Sequence, residues 1–223
     1  MKSISAIILN SDNRDITKTL ASLSGFDEII VWKKPLNGDW AAARNEAMET
    51  AKNDWVLFID SDEILSQQIA KIDDKYDGYS LRRRDVFWGR ELKHGEAGNI
   101  KLLRLGRKSA GIWRRKVHEY WDIKNVGELD NKLLHYPHPT VKEFIDSINF
   151  YTTIDANELY NEGKRVTYFR LIFNPVGKFI DNYFFNLGFL DGWPGFTYAF
   201  LMSFHSLTVR VKMAAEYGFS GLF

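Results

Sequence analysis

The chain contains no cysteine. That absence removes disulfides, thiolate nucleophiles and cysteine-based zinc sites, and it fits a reducing compartment. Net charge is also nearly absent: 30 Lys and Arg against 29 Asp and Glu leave +1. No global field draws such a chain to nucleic acid, its basic residues form no long stripe, and nucleic acid is not expected as a partner. The apolar run from Ile4 to Leu9 is too short for a secretory signal and passes straight into polar residues. It reads as a first strand, so nothing is expected to send the protein across a membrane. There is no internal repeat, no low-complexity linker, and no glycine-rich phosphate loop near the N-terminus, where the sequence is ILNSDNRD. What is present is 223 residues, 45% hydrophobic, enough for one domain with a real core plus an appendage.

The first 65 residues alternate between two kinds of pattern. Residues 4–9, 28–32 (EIIVW) and 55–59 (WVLFI) are short apolar runs suited to buried strands. Between them, Asp12 or Asn13 is placed to cap a helix with Ile16, Leu20 and Leu23 on one face, and Trp40, Ala43, Ala47 and Ala51 recur at helical spacing. A β-α-β-α-β order predicts a parallel sheet covered by helices, with ligands beyond the carboxyl ends of its strands. Residues 78–84 and 99–105 read as further strands of a mixed or antiparallel part, and 141–160 as a helix.

The acidic cluster Asp60-Ser61-Asp62-Glu63 follows the third strand, at such a carboxyl end. Two carboxylates flanking one residue form a compact oxygen-ligand site of the kind that Mg²⁺ and Mn²⁺ prefer. A metal there bridges a diphosphate and stabilises its charge as it leaves. Taken alone, the same four residues also read as a solvated turn that caps a following helix.

The stretch from Trp40 to Leu65, WAAARNEAMETAKNDWVLFIDSDEIL, resembles the core of the family 2 glycosyltransferases. Its matching pieces are Ala43-Arg44-Asn45, Asp54-Trp55 and Asp60-Ser61-Asp62-Glu63. The likeness is nearest to the branch that includes lipopolysaccharide core glucosyltransferases, through Val117-His118-Glu119, Leu134-His135-Tyr136 and the Gly-Phe-Leu-Asp-Gly run at Gly188 to Gly192. The resemblance implies a metal-dependent, inverting transfer of a hexose from a nucleotide sugar, a UDP-hexose, to a lipid-linked or lipopolysaccharide-core saccharide. It implies that Asn10, Arg44, Asp60 and Ser61 face the nucleotide sugar. Asp62, with Asp60 and His135, would hold the Mn²⁺ or Mg²⁺, and His118 is the alternative for metal or acceptor. Glu119 would be the general base that takes the acceptor hydroxyl's proton. His138 is a weaker candidate, and His94 and His205 read as incidental. One departure stands out: the acidic loop that family members carry after the second strand is replaced by Lys33-Lys34-Pro35-Leu36-Asn37-Gly38. There Trp32 is a candidate to stack on a base and the lysines to meet phosphate.

The C-terminal part differs in composition. Ten aromatics lie between 179 and 204, and residues 192–209 carry no Asp, Glu, Lys or Arg. Glycines and Pro194 interrupt that run, so it suits an in-plane amphipathic helix better than a span. Lys164, Arg165, Arg170, Lys178, Arg210 and Lys212 are placed to meet anionic headgroups. The reading is therefore a GT-A-like α/β domain with a mixed central sheet over 1–140, and a helical, membrane-associating appendage over 141–223. The expected location is cytoplasmic, peripheral on the inner face of the cytoplasmic membrane. Two other readings stay open: a nucleotidyltransferase, and a non-catalytic, membrane-associated saccharide-binding relative.

Overall fold

Ile4–Leu9 (β1) is buried at every position, which accounts for its unbroken apolar run: this strand is covered on both faces and paired on both edges. The structure, a computed structural model, describes residues 2–35, 38–69, 71–116 and 119–219. After β1 come Thr17–Ser22 (α1), Glu28–Trp32 (β2), Trp40–Glu49 (α2) and Trp55–Asp60 (β3). Both β2 and β3 pair with β1 in parallel, so the β-α-β-α-β order read from the sequence is the observed one. At α2, Asp39 accepts a hydrogen bond from Ala42 N at 2.9 Å, and Ala41, Ala43 and Ala47 are buried; an acidic cap and small side chains suit a helix lying close on a sheet. The expected cap on α1 is different. Neither Asp12 nor Asn13 caps it: the N-cap is Ile16, which makes no side-chain cap bond, and Asp15 just before it accepts from Thr17 N.

The acidic cluster does not open a helix. Glu63–Leu65 is a short strand (β4), followed by Gly78–Phe87 (β5), Arg90–Glu91 (β6), Lys101–Arg107 (β7), Trp113–Arg114 (β8), Tyr120–Trp121 (β9) and Val126–His135 (β10). The main sheet runs β2-β1-β3-β7-β5-β10-β4, with β6 on β5 and β8 paired to β9 apart from it. From β3 to β7 onward the pairing turns antiparallel. This is the mixed α/β sheet expected. Alternate side chains of β1 and β3 feed two cores: Ile8, Leu57 and Ile59 on one face, Ile7, Val56 and Phe58 on the other. On that second face the Trp113 and Trp121 rings meet Phe58 edge-on at 5.2 and 5.5 Å, a favoured aromatic geometry.

The chain divides into two compact units, Met1–Arg84 with Ile100–His135, and Asp85–Asn99 with Tyr136–Phe223. The second unit is built on Val141–Asn161 (α3), Tyr168–Ile180 (α4) and Trp193–Tyr217 (α5). Thr140 caps α3 by accepting from Glu143 N. Asp191, in the Gly-Phe-Leu-Asp-Gly run, accepts from the backbone N of Lys93 and of His94 and bonds His94 Nδ1 at 2.8 Å. So His94, read as incidental, helps to pin residues 91–95 within this unit. The helical appendage is thus present. Among the described residues no helix is long and apolar enough to cross a membrane.

Candidate active site

β1 and β3 end side by side, with Leu9 opposite Asp60 in the register. Asn10, the residue that follows β1, is buried and closes the following loop on itself. Its Oδ1 accepts from Arg14 N at 2.9 Å and its Nδ2 donates to Arg14 O at 3.1 Å. The loop so held turns Arg14 toward the cluster, where its Nη1 reaches Asp62 at 3.2 Å. Ser61 Oγ donates to Asp12 of the same loop at 3.4 Å.

Asp60 sits between two guanidiniums. Arg44 Nη2 donates to its Oδ1 at 2.8 Å and Arg104 Nη2 to its Oδ2 at 2.5 Å. Arg44 is buried, lies 4.7 Å over the Trp113 ring, and also donates to Glu119 Oε1 at 3.0 Å. Its neighbour Asn45 fixes β8 to α2 through reciprocal bonds with the Trp113 backbone. The Ala-Arg-Asn helix thereby holds both the acidic cluster and the segment leading to Glu119.

Arg104 was not singled out from the sequence. On β7, Leu105 pairs with Tyr79 of β5 but Leu103 pairs with Ser80, so Arg104 is the extra residue of a β-bulge. A bulge re-aims one side chain, and here it puts a cation on Asp60 and, at 3.4 Å, on Glu63. The signal was a lone Arg inside KLLRLG, an apolar strand with no acidic neighbour in sequence.

Burial by itself would push the Asp60 carboxyl up; Arg104 and then Arg44 outweigh it and hold it well below the usual carboxylate range. Glu63 is fully buried, accepts from Asp60 N at 3.0 Å, and goes the other way: desolvation raises it despite Arg104. A carboxyl raised in the folded state adds stability at low pH that is lost as pH rises through its folded value. Wild-type stability should therefore contain a component that falls as pH climbs above the ordinary glutamate value of 4.5. Urea unfolding of Glu63→Gln across pH should lack that fall. An identical pH slope in mutant and wild type would mean that the Glu63 carboxyl titrates alike in the folded and unfolded chain.

The antiparallel pairing of β10 with β4 sets His135 opposite Glu63, and His135 Nε2 comes within 3.7 Å of Asp62 Oδ2. Two cis ligands of one ion, each about 2.1 Å from it, stand roughly 3.0 Å apart, so a small closure would let this oxygen–nitrogen pair share a divalent ion. Among the described residues no group of three His, Cys, Asp or Glu is arranged to hold a metal, and Asp60 has both oxygens on arginines. Asp62 and His135 would be the two protein ligands of such an ion, and Arg14, 3.2 Å from the same Asp62 Oδ2, would have to give way to it. His118 lies outside the described residues. His138 stacks on Phe144 in the helical unit, and His205 lies 3.5 Å from Asp155 there. Trp32 is not placed to stack on a base: it is buried in the second core and Lys34 covers its ring at 4.7 Å while pairing with Glu46.

These elements coincide with a known sequence pattern. The profile described as Glycosyl transferase family 2 matches residues 4–121, from the start of β1 to the end of β9. The chain belongs to glycosyl transferase family 2. The likeness read in Trp40–Leu65 is thereby borne out, and the family is one of transferase enzymes. Among the relatives of this glycosyltransferase chain, the lipopolysaccharide core biosynthesis glycosyltransferase LpsC of Rhizobium meliloti is 29% identical over 217 residues, 87% of this chain and 79% of that one. An uncharacterized glycosyltransferase of Rickettsia typhi is 24% identical over 218 residues, 89% of this chain and 73% of that one. Among solved structures, S. aureus TarS matches with a TM-score of 0.41 at 12% identity, over 68% of this chain and 39% of that one. S. aureus TarS 1-349 in complex with UDP matches with a TM-score of 0.38 at 13% identity, over 68% and 64%. This chain thus spans less than two thirds of either of those two structures.

Proposed function

We propose that this family 2 chain transfers a hexose from a UDP-hexose to a lipid-linked or lipopolysaccharide-core saccharide, with inversion, at the inner face of the cytoplasmic membrane. The observation that carries the reading is the convergence of Asp62 and His135 beside an arginine-braced Asp60, at the carboxyl ends of parallel strands where α/β sheets bind ligands. The 29% identity to a lipopolysaccharide core glycosyltransferase supports the choice of acceptor.

In this mechanism Asp62 and His135 would hold a Mn²⁺ or Mg²⁺, which supplies neutralisation of the donor's diphosphate. The acceptor oxygen bonds to the anomeric carbon as the bond from that carbon to the diphosphate oxygen breaks. Glu119 takes the acceptor hydroxyl's proton, and the nucleoside diphosphate leaves. Arg44 positions Glu119, since one guanidinium bonds both Glu119 and Asp60. Asn10 shapes the loop over the nucleotide. General-base catalysis contributes about 10²–10⁴-fold. Glu119→Gln should accordingly lower kcat by roughly that factor and leave donor binding within about twofold. A kcat within threefold of wild type would remove Glu119 from the role of base.

Calorimetric titration of a panel of nucleotide sugars, with Mn²⁺ present, tests the donor. Wild type should bind one UDP-hexose in a metal-dependent way, and Asp62→Ala should not. If the folded protein binds no nucleotide sugar, the reading gives way to a non-catalytic relative. Release of pyrophosphate instead of a nucleoside diphosphate would mark a nucleotidyltransferase.

A further inference from the structure

The helical unit carries its aromatics on the outside. On α4, Phe169, Ile172, Phe173 and Val176 are each at least half exposed, while Pro175 is the buried residue of that helix. On α5, Phe196, Phe200 and Phe204 repeat at four-residue spacing and all stand exposed. The turn between the two helices adds Phe185, 77% exposed, and Leu190. By contrast, the contacts between α4 and α5 include polar ones. Ser203 Oγ donates to Pro175 O at 2.7 Å, and the Asn174 amide faces the Arg210 guanidinium, which its oxygen meets once the amide is turned over. A continuous exposed apolar face of this kind marks a surface that something covers.

Charge identifies the cover. Residues 164–180 and 192–215 contain cations but not one Asp or Glu. At the end where α4 begins, Arg165 Nη1 donates to the carbonyls of Tyr160 and Lys164, and Arg170 Nη1 to the carbonyl of Arg165. Among the described residues, neutral carbonyls and, for Arg210, the Ser206 carbonyl and hydroxyl accept from these guanidiniums. Burial and then the neighbouring charge of Arg170 both lower Arg210 below an ordinary arginine. Helices α4 and α5 of a second copy would bring the same cations, the nearest acids being Asp181 and Asp191 of the turn between them. A lipid surface with phosphate headgroups supplies both an apolar layer for the aromatics and anions for the arginines.

We infer that the α4–α5 face lies in the plane of an anionic lipid monolayer, with Phe169, Phe173 and Phe200 among the acyl chains and Arg165, Arg170 and Arg210 on lipid phosphates. This deepens the peripheral-membrane part of the proposed function and rests on it. Vesicle binding is read without donor or acceptor, so its failure is distinguishable from failure of the donor titration.

The test is cosedimentation of the full chain with vesicles of phosphatidylglycerol and phosphatidylcholine in equal parts, and of phosphatidylcholine alone. Wild type should pellet with the anionic vesicles and be released by added salt. Phe173→Ser combined with Phe200→Ser, and Arg165→Gln combined with Arg170→Gln, should each bind at least about tenfold more weakly. All four side chains are surface ones, so thermal unfolding of both variants should match wild type. Three results would overturn the inference. One is wild type left in the supernatant with anionic vesicles. Another is unchanged binding by either folded double variant. The third is a dimer in vesicle-free solution that the phenylalanine variant abolishes, which would assign this face to a second copy.

Discussion

Asparagine in place of Asp60 is expected to destabilise the sheet-bearing unit by about 3 kcal/mol, the lower end of the scale for removing one partner of a buried ion pair, because the arginines are buried but Asp60 itself is 31% exposed. The carboxylate is the shared acceptor of Arg44 and Arg104, both buried. An amide offers one oxygen where two guanidiniums now each have their own, and its NH₂ faces a cation. Arg44 keeps Glu119 and Arg104 keeps Glu63, which is why the loss stays well short of unfolding a domain. For a chain of this size the shift in Tm is roughly 6–12 °C. Because the Asp60 carboxyl is held below its usual range, its contribution is present above the ordinary value and is lost as pH falls through the depressed one. Asp60→Asn should therefore also weaken the dependence of stability on pH in the acid range. A loss under about 1 kcal/mol in chemical denaturation would show that the two arginines relax to other partners and that the bridge is not structural.

Asp62→Ala is expected to do the reverse: to leave stability within about 0.5 kcal/mol and to lower transfer by at least about 10²-fold. Its carboxylate faces Arg14, whose side chain is 41% exposed, and His135, so little that is buried is orphaned by its removal. In the proposed mechanism it is one of two protein ligands to the ion that neutralises the leaving diphosphate. Chelation of divalent ions should mimic the substitution in wild type and have no further effect on the mutant. Measuring nucleoside diphosphate release alongside thermal unfolding separates the two acids of one tripeptide, one bracing the structure and one facing the chemistry. Full transfer activity in Asp62→Ala would remove the acidic cluster from the reaction.

The parallel core was legible because it is local. Three short apolar runs separated by helical periodicity, within 60 residues, have few ways to pack. The strand that completes the site was not. Val126–His135 reads VGELDNKLLH, with exposed and buried positions mixed, as suits a strand carrying polar residues, and no run of apolar residues announces it. β4 was equally hidden, because three residues are too few to show a period. The bulge at Arg104 depends on the register between two strands, which one strand's sequence does not contain. The helical character and aromatic crowding of the C-terminal part were plain in the composition, whereas the face those aromatics occupy is settled by how α4 and α5 pack on each other.

By itself, then, the sequence determined the α/β order, the family, and an acidic cluster at the carboxyl end of β3. All of these are written in short-range pattern and in a contiguous motif. The tertiary structure alone decided that Asp60 is bridged by two arginines and that Arg104 is one of them, and it put His135, which the family likeness had already grouped with Asp62, within 3.7 Å of it. Those contacts join residues 16 to 73 positions apart, and the packing of α2 on the sheet, the pairing of β10 with β4 and the register of β7 on β5 bring the side chains within reach.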